Sequence, residues 1–307
     1  MQQTLFDRPE VWKLQPFFRA FSPPVLYRMS SLVPQSFILR DGSTIPAIGL
    51  GVYRSAPGEE TYWAVLSALG LGYRHIDTAQ IYRNEGDVGK AIAHSDVPRG
   101  EIFVTTKLWL ANWGYQAARD AVQESLRQLN VDYIDLILLH APGPPETRAE
   151  TWKALEDLQM EGKLRSIGVS NFGIPHLEKL EKTARVLPSV NQIELHPWCQ
   201  RVELTQYCKD HGIVVQAYSP LAKAIKLSDP VVCGIADKIG VTAAQVLIAW
   251  SLSKGVVTLP KSVNPLRQEQ NLATPNIVSL SIDDIKLLDT LEEYLVTGWD
   301  PILNAEV

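Results

Sequence analysis

The chain has 307 residues, 46% of them hydrophobic and 21% charged, with a formal net charge of −5. That acidic balance, with basic residues scattered rather than clustered, argues against a dedicated nucleic-acid binder. No apolar run reaches the ~18 residues of a membrane-spanning helix. Cys199, Cys208 and Cys233 form no Cys-x-x-Cys pair and are odd in number. Buried free thiols and a reducing, cytoplasmic setting are therefore expected rather than a disulfide framework.

Residues 1–28 come first. They carry Arg8, Lys13, Arg19 and Arg28 among aromatics, with acids only at Asp7 and Glu10. The stretch is poor in Ser and lacks a clean amphipathic repeat, so it reads as a dispensable extension in preference to an organellar presequence. Pro9, Pro16, Pro23 and Pro24 break up any long helix, and Met29 is a natural start. The expected organisation is an N-terminal extension over 1–35, poorly ordered, and a single catalytic domain over 36–307.

A β-hairpin is predicted next, with strands at 37–40 and 43–45 joined by an Asp41-Gly42 turn. Strands follow at 47–52, 73–78, 102–107, 133–140, 166–170, 190–195, 213–218 and 256–260. Most are continuous apolar runs, as parallel strands buried on both faces require. Helical segments intervene. In 115–129, Ala118, Val122, Ser125, Leu126 and Leu129 share one face at 3.6-residue spacing. Segment 242–253 repeats the pattern with Val246, Leu247 and Trp250. Eight such units fit an α/β fold of the (β/α)8 TIM barrel type, with the hairpin in front and an extra C-terminal helix at 282–291. An open doubly wound sheet is the alternative, but Gly49-Leu50-Gly51 lacks the third glycine of its usual fingerprint.

In such a barrel the C-terminal strand ends line one mouth. Asp77, Lys107, His140, Ser170-Asn171, Gln192, Tyr218 and Lys261 fall at or just beyond seven different strand ends. Taken singly, Asp77 reads as a cap, His140 as a core histidine and Lys107 as a snorkelling lysine. Their joint placement points to a site. Tyr82 follows Asp77 by five residues. A phenol with a pKa of ~10 releases its proton reluctantly at neutral pH. An ammonium ~4 Å away contributes up to ~4 kcal/mol toward phenolate, on the order of 3 pK units before desolvation. Lys107 beside Tyr82 is thus expected to lower the phenol's pKa and make it a general acid. Asp77 would hold Lys107 charged, and His140 would donate to a carbonyl oxygen. The sequence lacks a His-Glu-x-x-His metal motif, and polarising a carbonyl with these groups suits hydride transfer from a nicotinamide cofactor.

The motifs Gly72-Tyr73-Arg74-x-x-Asp77-Thr78-Ala79, Tyr82-x-Asn84-Glu85, Leu138-Leu139-His140-x-Pro142, Gly168-Val169-Ser170-Asn171-Phe172, Asn191-Gln192-x-Glu194-x-His196-Pro197 and Pro260-Lys261-Ser262 through Arg267 to Asn271 resemble those of the aldo-keto reductases. The resemblance spans roughly residues 36–300. It implies Asp77, Tyr82, Lys107 and His140 as a catalytic tetrad that reduces aldehydes or ketones to alcohols. It implies that Ser170, Asn171 and Gln192 bind the nicotinamide amide, that Tyr218 stacks on its ring, and that Ser219 and Leu221 meet the pyrophosphate. By the same likeness Lys261, Ser262 and Arg267 hold the 2′-phosphate, and Asn271 the adenine. Two cations and a hydroxyl suit a dianion and favour NADPH/NADP+ over NADH. The family usually has Glu where this chain has Gln270, which bears on that adenine contact.

In the substrate pocket the family often has Trp where this chain has Ala141 and Tyr53, while Trp109 is retained. Ala141 is expected to leave a wider pocket, and Trp113 and Trp299 are further candidates for its rim. His196 reads as structural. The expected partner is a small carbonyl compound, with no nucleic acid or membrane, and the protein is expected to be a monomer or weak oligomer. Two other classes compete: a redox-sensing subunit of a membrane channel, and a metal-dependent barrel hydrolase.

Overall fold

The computed structural model describes residues 34–303. The expectations for residues 1–28, and for all but the last two residues of the 1–35 extension, lie outside these.

A two-stranded antiparallel hairpin opens the described chain, β1 (Ser36–Ile38) with β2 (Thr44–Pro46). Gly42 takes the left-handed φ of +83° that the turn requires. Then come β3 (Leu50–Gly51), β4 (His75–Asp77), β5 (Phe103–Leu108), β6 (Ile134–Leu139), β7 (Leu164–Ser170), β8 (Val190–Glu194), β9 (Val214–Tyr218) and β10 (Val257–Leu259). They pair in chain order, all parallel, as one eight-stranded sheet. The sheet closes on itself where Thr258 N donates to Ala47 O at 2.8 Å and Gly49 N to Thr258 O at 3.0 Å. The expected (β/α)8 barrel is the fold.

Helices α1 (Glu59–Leu71), α2 (Glu85–His94), α3 (Tyr115–Leu129), α4 (Pro145–Met160), α5 (Ile174–Glu181) and α6 (Val202–Asp210) alternate with the strands. Two helices, α7 (Pro230–Ile239) and α8 (Ala243–Ser253), separate β9 from β10, and α9 (Pro265–Ile277) and α10 (Ile282–Asp289) follow β10. The pattern reading missed α7. Its signals were present: Asp229 caps it by accepting from Val231 N, Pro230 is its first residue, and Gly240 ends it at φ +72°. Among the described residues no single helix is long and apolar enough to cross a membrane. Cys199, Cys208 and Cys233 are free thiols; burial pushes the first up to about 12 and the second up to about 11, so both stay as thiols.

The barrel's inside is layered. Towards the N-terminal end, Leu39 and Ile45 of the hairpin pack on Phe103, Leu136, Leu138, Val190, Val257 and Leu259 and plug the bottom. Side chains alternate along a strand, so two residues above Phe103 comes Thr105, and two above that Lys107. The middle layer is polar. His75 is completely buried, its Nε2 3.0 Å from Thr105 Oγ1. A Cβ on Gly49 would lie 2.6 Å from His75 Nδ1, so only glycine fits beneath the ring.

Burial, reinforced by Lys107 and opposed by a backbone bond at Pro46, pushes the His75 pKa down to about 3. The folded pKa thus lies below the unfolded value of ~6.5. His75 stays neutral in the fold while the unfolded chain takes up a proton below ~6.5. Stability is therefore retained above that pH and lost as pH falls toward 3. One such histidine steepens the loss by about 1.4 kcal/mol per pH unit. Urea unfolding at about pH 7 and about pH 5 should show His75→Gln losing less stability than wild type by on the order of 2 kcal/mol; equal losses would count against the assignment.

Candidate active site

β4 ends at Asp77, and the chain turns at once. Residues Gln80–Tyr82 form a 3-10 turn that closes at Arg83, whose φ is +57°. Two side chains pin this turn. Buried Asn84 accepts from Thr78 Oγ1 at 2.7 Å and donates to Val52 O at 3.1 Å. Gln80 donates to Ala121 O at 3.1 Å and accepts from Trp109 N at 3.0 Å. The turn brings Tyr82 back over the strand ends.

Lys107, at 0% exposure, sits one strand over. Its Nζ donates to Asp77 Oδ1 at 2.7 Å, Thr78 O at 2.8 Å and Tyr82 Oη at 3.3 Å. Three donors meet three acceptors, which is what makes a buried ammonium tolerable. Gln192 completes the carboxylate's shell: its Nε2 donates to Asp77 Oδ2 and to Gln216 Oε1, both at 2.8 Å.

Burial lowers the Lys107 pKa, against the pull of Asp77. Tyr82 moves opposite to the sequence-based expectation. Withdrawal from solvent raises its phenol well above the usual range, and Asp77, Tyr218 and Tyr53 push the same way. Burial is the main reason, and the geometry explains why Lys107 does not offset it. The ammonium lies closer to Asp77 than to Tyr82, and the paired carboxylate cancels most of its field at the phenol. The site at rest holds a protonated tyrosine.

His140 continues the line of β6, with its N donating to Leu108 O at 3.2 Å. Its ring meets Tyr82 edge-on at 5.7 Å and Trp109 edge-on at 5.2 Å. Burial, then Lys107, pushes its pKa down to about 3, so the imidazole is neutral. Nδ1 is buried with no partner among the described residues, leaving Nε2 as the nitrogen for a ligand.

The residues expected at the nicotinamide form a bonded chain. Tyr218 Oη donates to Asn171 Oδ1 at 2.9 Å, Asn171 Nδ2 to Ser170 Oγ and to His140 O at 3.1 Å each, and Ser170 Oγ to Gln192 O at 2.9 Å. Asn171 holds a left-handed φ of +61°. Both Gln192 amide protons are engaged with Asp77 and Gln216, which leaves its carbonyl oxygen for a ligand.

Ser219 and Leu221 lie in the loop after β9. Lys261 and Ser262 follow β10, and Arg267, Gln270 and Asn271 lie on α9. Asn264 caps α9 by accepting from Arg267 N at 3.1 Å. Lys261 and Arg267 are exposed, and neither side chain has an ion-pair or hydrogen-bond partner among the described residues. Two unpaired cations beside a buried serine hydroxyl and a helix N-terminus fit a phosphate.

At the rim, Tyr53 tilts against Tyr82 at 5.0 Å. Trp109 walls the His140 side, and Trp299 is exposed. Trp113 is instead buried against Gly143, where a Cβ would come within 2.4 Å of its ring. Ala141 corrects the expectation of a widened pocket: it has no accessible surface and is a packing residue, so it leaves no open wall. Ala141→Trp should overpack the loop after β6 and cost about 1–3 kcal/mol, read as a lower unfolding midpoint in urea. An unchanged midpoint would put Ala141 back in the pocket. The bonds made by Gln80 and Gln216 were missed from sequence, because a glutamine's partners are set by distant strands.

The chain matches the Aldo/keto reductase family over residues 47–293. The glyoxal reductase of Bacillus subtilis (strain 168) is 43% identical over 263 residues, 86% of this chain and 95% of that protein. The methylglyoxal reductase DkgA of Escherichia coli (strain K12) is 42% identical over 271 residues, 87% and 97% of the two chains. The crystal structure of a Bombyx mori aldo-keto reductase (AKR2E4) in complex with NADP superposes with a TM-score of 0.80 at 34% identity, covering 87% of this chain and 95% of that one.

Proposed function

The chain belongs to the aldo/keto reductase family and is an NADP(H)-dependent carbonyl reductase; from that premise we propose that it reduces small α-dicarbonyl compounds such as glyoxal and methylglyoxal, with Tyr82 as the proton donor. The observation that carries the catalytic reading is the contact of Lys107 Nζ with both Asp77 and Tyr82 at a mouth that His140 also faces. The substrate class rests on the two relatives named for those compounds.

When bound, the cofactor supplies a hydride to the carbonyl carbon. The protein's residues do the rest. Neutral His140 donates from Nε2 to the carbonyl oxygen and orients it. As charge grows on that oxygen, the Tyr82 O–H bond breaks and the proton passes to it. The phenolate left behind faces the Lys107 ammonium, which gains a stronger hydrogen bond only once the proton has moved. That gain belongs to the transition state and not to the ground state. Asp77 keeps Lys107 charged, and Gln192 keeps Asp77 in place. Ser170, Asn171 and Tyr218 form the platform for the nicotinamide, and Lys261, Ser262 and Arg267 the seat of the 2′-phosphate.

The test is NADPH oxidation, followed by absorbance, with glyoxal, methylglyoxal, simple aldehydes, bulky ketones and sugars. The highest kcat/KM is expected for the α-dicarbonyls. A sugar or bulky ketone turned over better would overturn the substrate class, and no turnover with any carbonyl would overturn the roles given to these residues.

A further inference from the structure

We propose that Gln216 is a positioning residue for coenzyme recognition: it fixes the plane of the Gln192 amide, and so the direction of the carbonyl oxygen that receives the nicotinamide carboxamide. The proposal rests on the reading of Gln192 as a nicotinamide contact.

The two glutamines are brought together by register. β8 and β9 run parallel with Gln192 directly opposite Gln216. Two residues earlier on each strand, Val190 and Val214 pack with the plug. By strand alternation Gln192 and Gln216 share that inward face one level higher. Both are buried, Gln216 completely. β4 and β8 are four places apart in the eight-stranded ring and stand on opposite walls, yet Gln192 Nε2 reaches Asp77 Oδ2 at 2.8 Å.

The chemistry of the partners decides which end of each amide faces which. The Asp77 carboxylate, 2.7 Å from Lys107 Nζ, accepts and does not donate. Gln192 must therefore turn its NH2 group toward it. The second proton of that group needs an acceptor, and Gln216 supplies its Oε1 at 2.8 Å. The consequence falls on Gln216 itself, whose Nε2 is buried with no partner among the described residues. An unsatisfied buried donor destabilises a fold, and an apolar side chain of similar size would avoid it. Packing does not explain a glutamine here; the acceptor it offers Gln192 does.

Two hydrogen bonds from one nitrogen define a plane. Held by Asp77 alone, the Gln192 amide could swivel about a single N–H···O axis, and its carbonyl oxygen would sweep an arc. Held by Asp77 and Gln216 together, that oxygen keeps one direction. An acceptor fixed in advance binds a donor more tightly than one that must be ordered on binding. The gain is confined to a coenzyme that carries a donor at that point.

The test compares NADP+ with 3-acetylpyridine adenine dinucleotide phosphate, in which a methyl group replaces the carboxamide NH2. Dissociation constants come from quenching of tryptophan fluorescence in the full chain and its variants. The wild type should bind NADP+ more tightly by on the order of 10-fold, the scale of one net hydrogen bond. Gln216→Met keeps the size and loses the acceptor. It should cut that ratio by about threefold or more through weaker NADP+ binding, with the acetyl analogue bound as before. Gln216→Glu keeps an oxygen acceptor at the position and should keep the ratio. An unchanged ratio in Gln216→Met overturns the proposal. So does equal weakening of both ligands, or a Glu variant that behaves like the Met variant. Gln192→Met tests the underlying reading, because the ratio should vanish there. If it persists, or if the wild type shows none, Gln192 does not receive the carboxamide and the inference falls with that reading. If it vanishes in Gln192→Met but stands in Gln216→Met, the role of Gln216 alone falls.

Discussion

Tyr82→Phe is expected to lower kcat by ~10²-fold or more, the typical contribution of a positioned general acid, while NADPH binds as before. The substitution removes one oxygen. Phenylalanine keeps the ring that meets His140 at 5.7 Å and Tyr53 at 5.0 Å, and Lys107 Nζ remains 5.0 Å from its centroid. What is lost is the hydroxyl 3.3 Å from Lys107 and, with it, the proton the mechanism delivers. Fluorescence titration with NADPH separates binding from chemistry. Near-normal turnover would end the assignment. A corollary follows from the raised pKa. The phenol remains protonated past its ordinary ~10, so the rate should not fall through loss of this proton anywhere in the physiological range. An alkaline limb below pH ~9 that disappears in Tyr82→Phe would contradict it.

The second large effect concerns cofactor choice. Lys261→Ala and Arg267→Ala should each weaken NADPH by about 1.5–3 kcal/mol, the scale of a hydrogen bond to a charged group. That is on the order of 10- to 100-fold in Kd, and the double variant should lose the preference for NADPH. NADH, which lacks the 2′-phosphate, should bind all the variants alike. Both side chains are exposed, so the NADPH contribution should also shrink as salt rises. Titration of both cofactors at low and high ionic strength reads all of this. Equal weakening of NADPH and NADH would show that these cations do not read the phosphate.

The barrel was legible because parallel strands covered on both faces read as uninterrupted apolar runs, and β5 to β9 stand within two residues of where those runs lie. Helix α3 coincides with its 3.6-residue stripe. Helix α7 escaped because it is short and its capping signals sit between two longer patterns. Asp77, Lys107 and His140 were legible because each lies at or beside a strand end, and in a barrel strand ends share a mouth; Tyr82 returns over them on the turn after β4. Three properties were not. The direction of the Tyr82 shift is set first by how far the phenol is withdrawn from solvent and then by Asp77 beside it, and neither can be read from a strand pattern. The bond from Gln192 to Asp77 joins residues 115 positions apart. The burial of Ala141 is decided by neighbours from other elements, and a family comparison of residue size at that position says nothing of them.

The hairpin that plugs the barrel has a kinetic consequence. With Leu39 and Ile45 sealing one end on a ring of six apolar side chains, the reacting centre is a cul-de-sac. Everything that reaches Lys107 and Tyr82 enters through the same doorway, and Ser170, Asn171 and Tyr218, proposed as the nicotinamide platform, lie on the wall of that doorway. A carbonyl compound arriving first would stand in the path of the larger molecule. Traffic of this kind is last in, first out: the coenzyme is expected to enter before the carbonyl, and the alcohol to depart before the oxidised coenzyme.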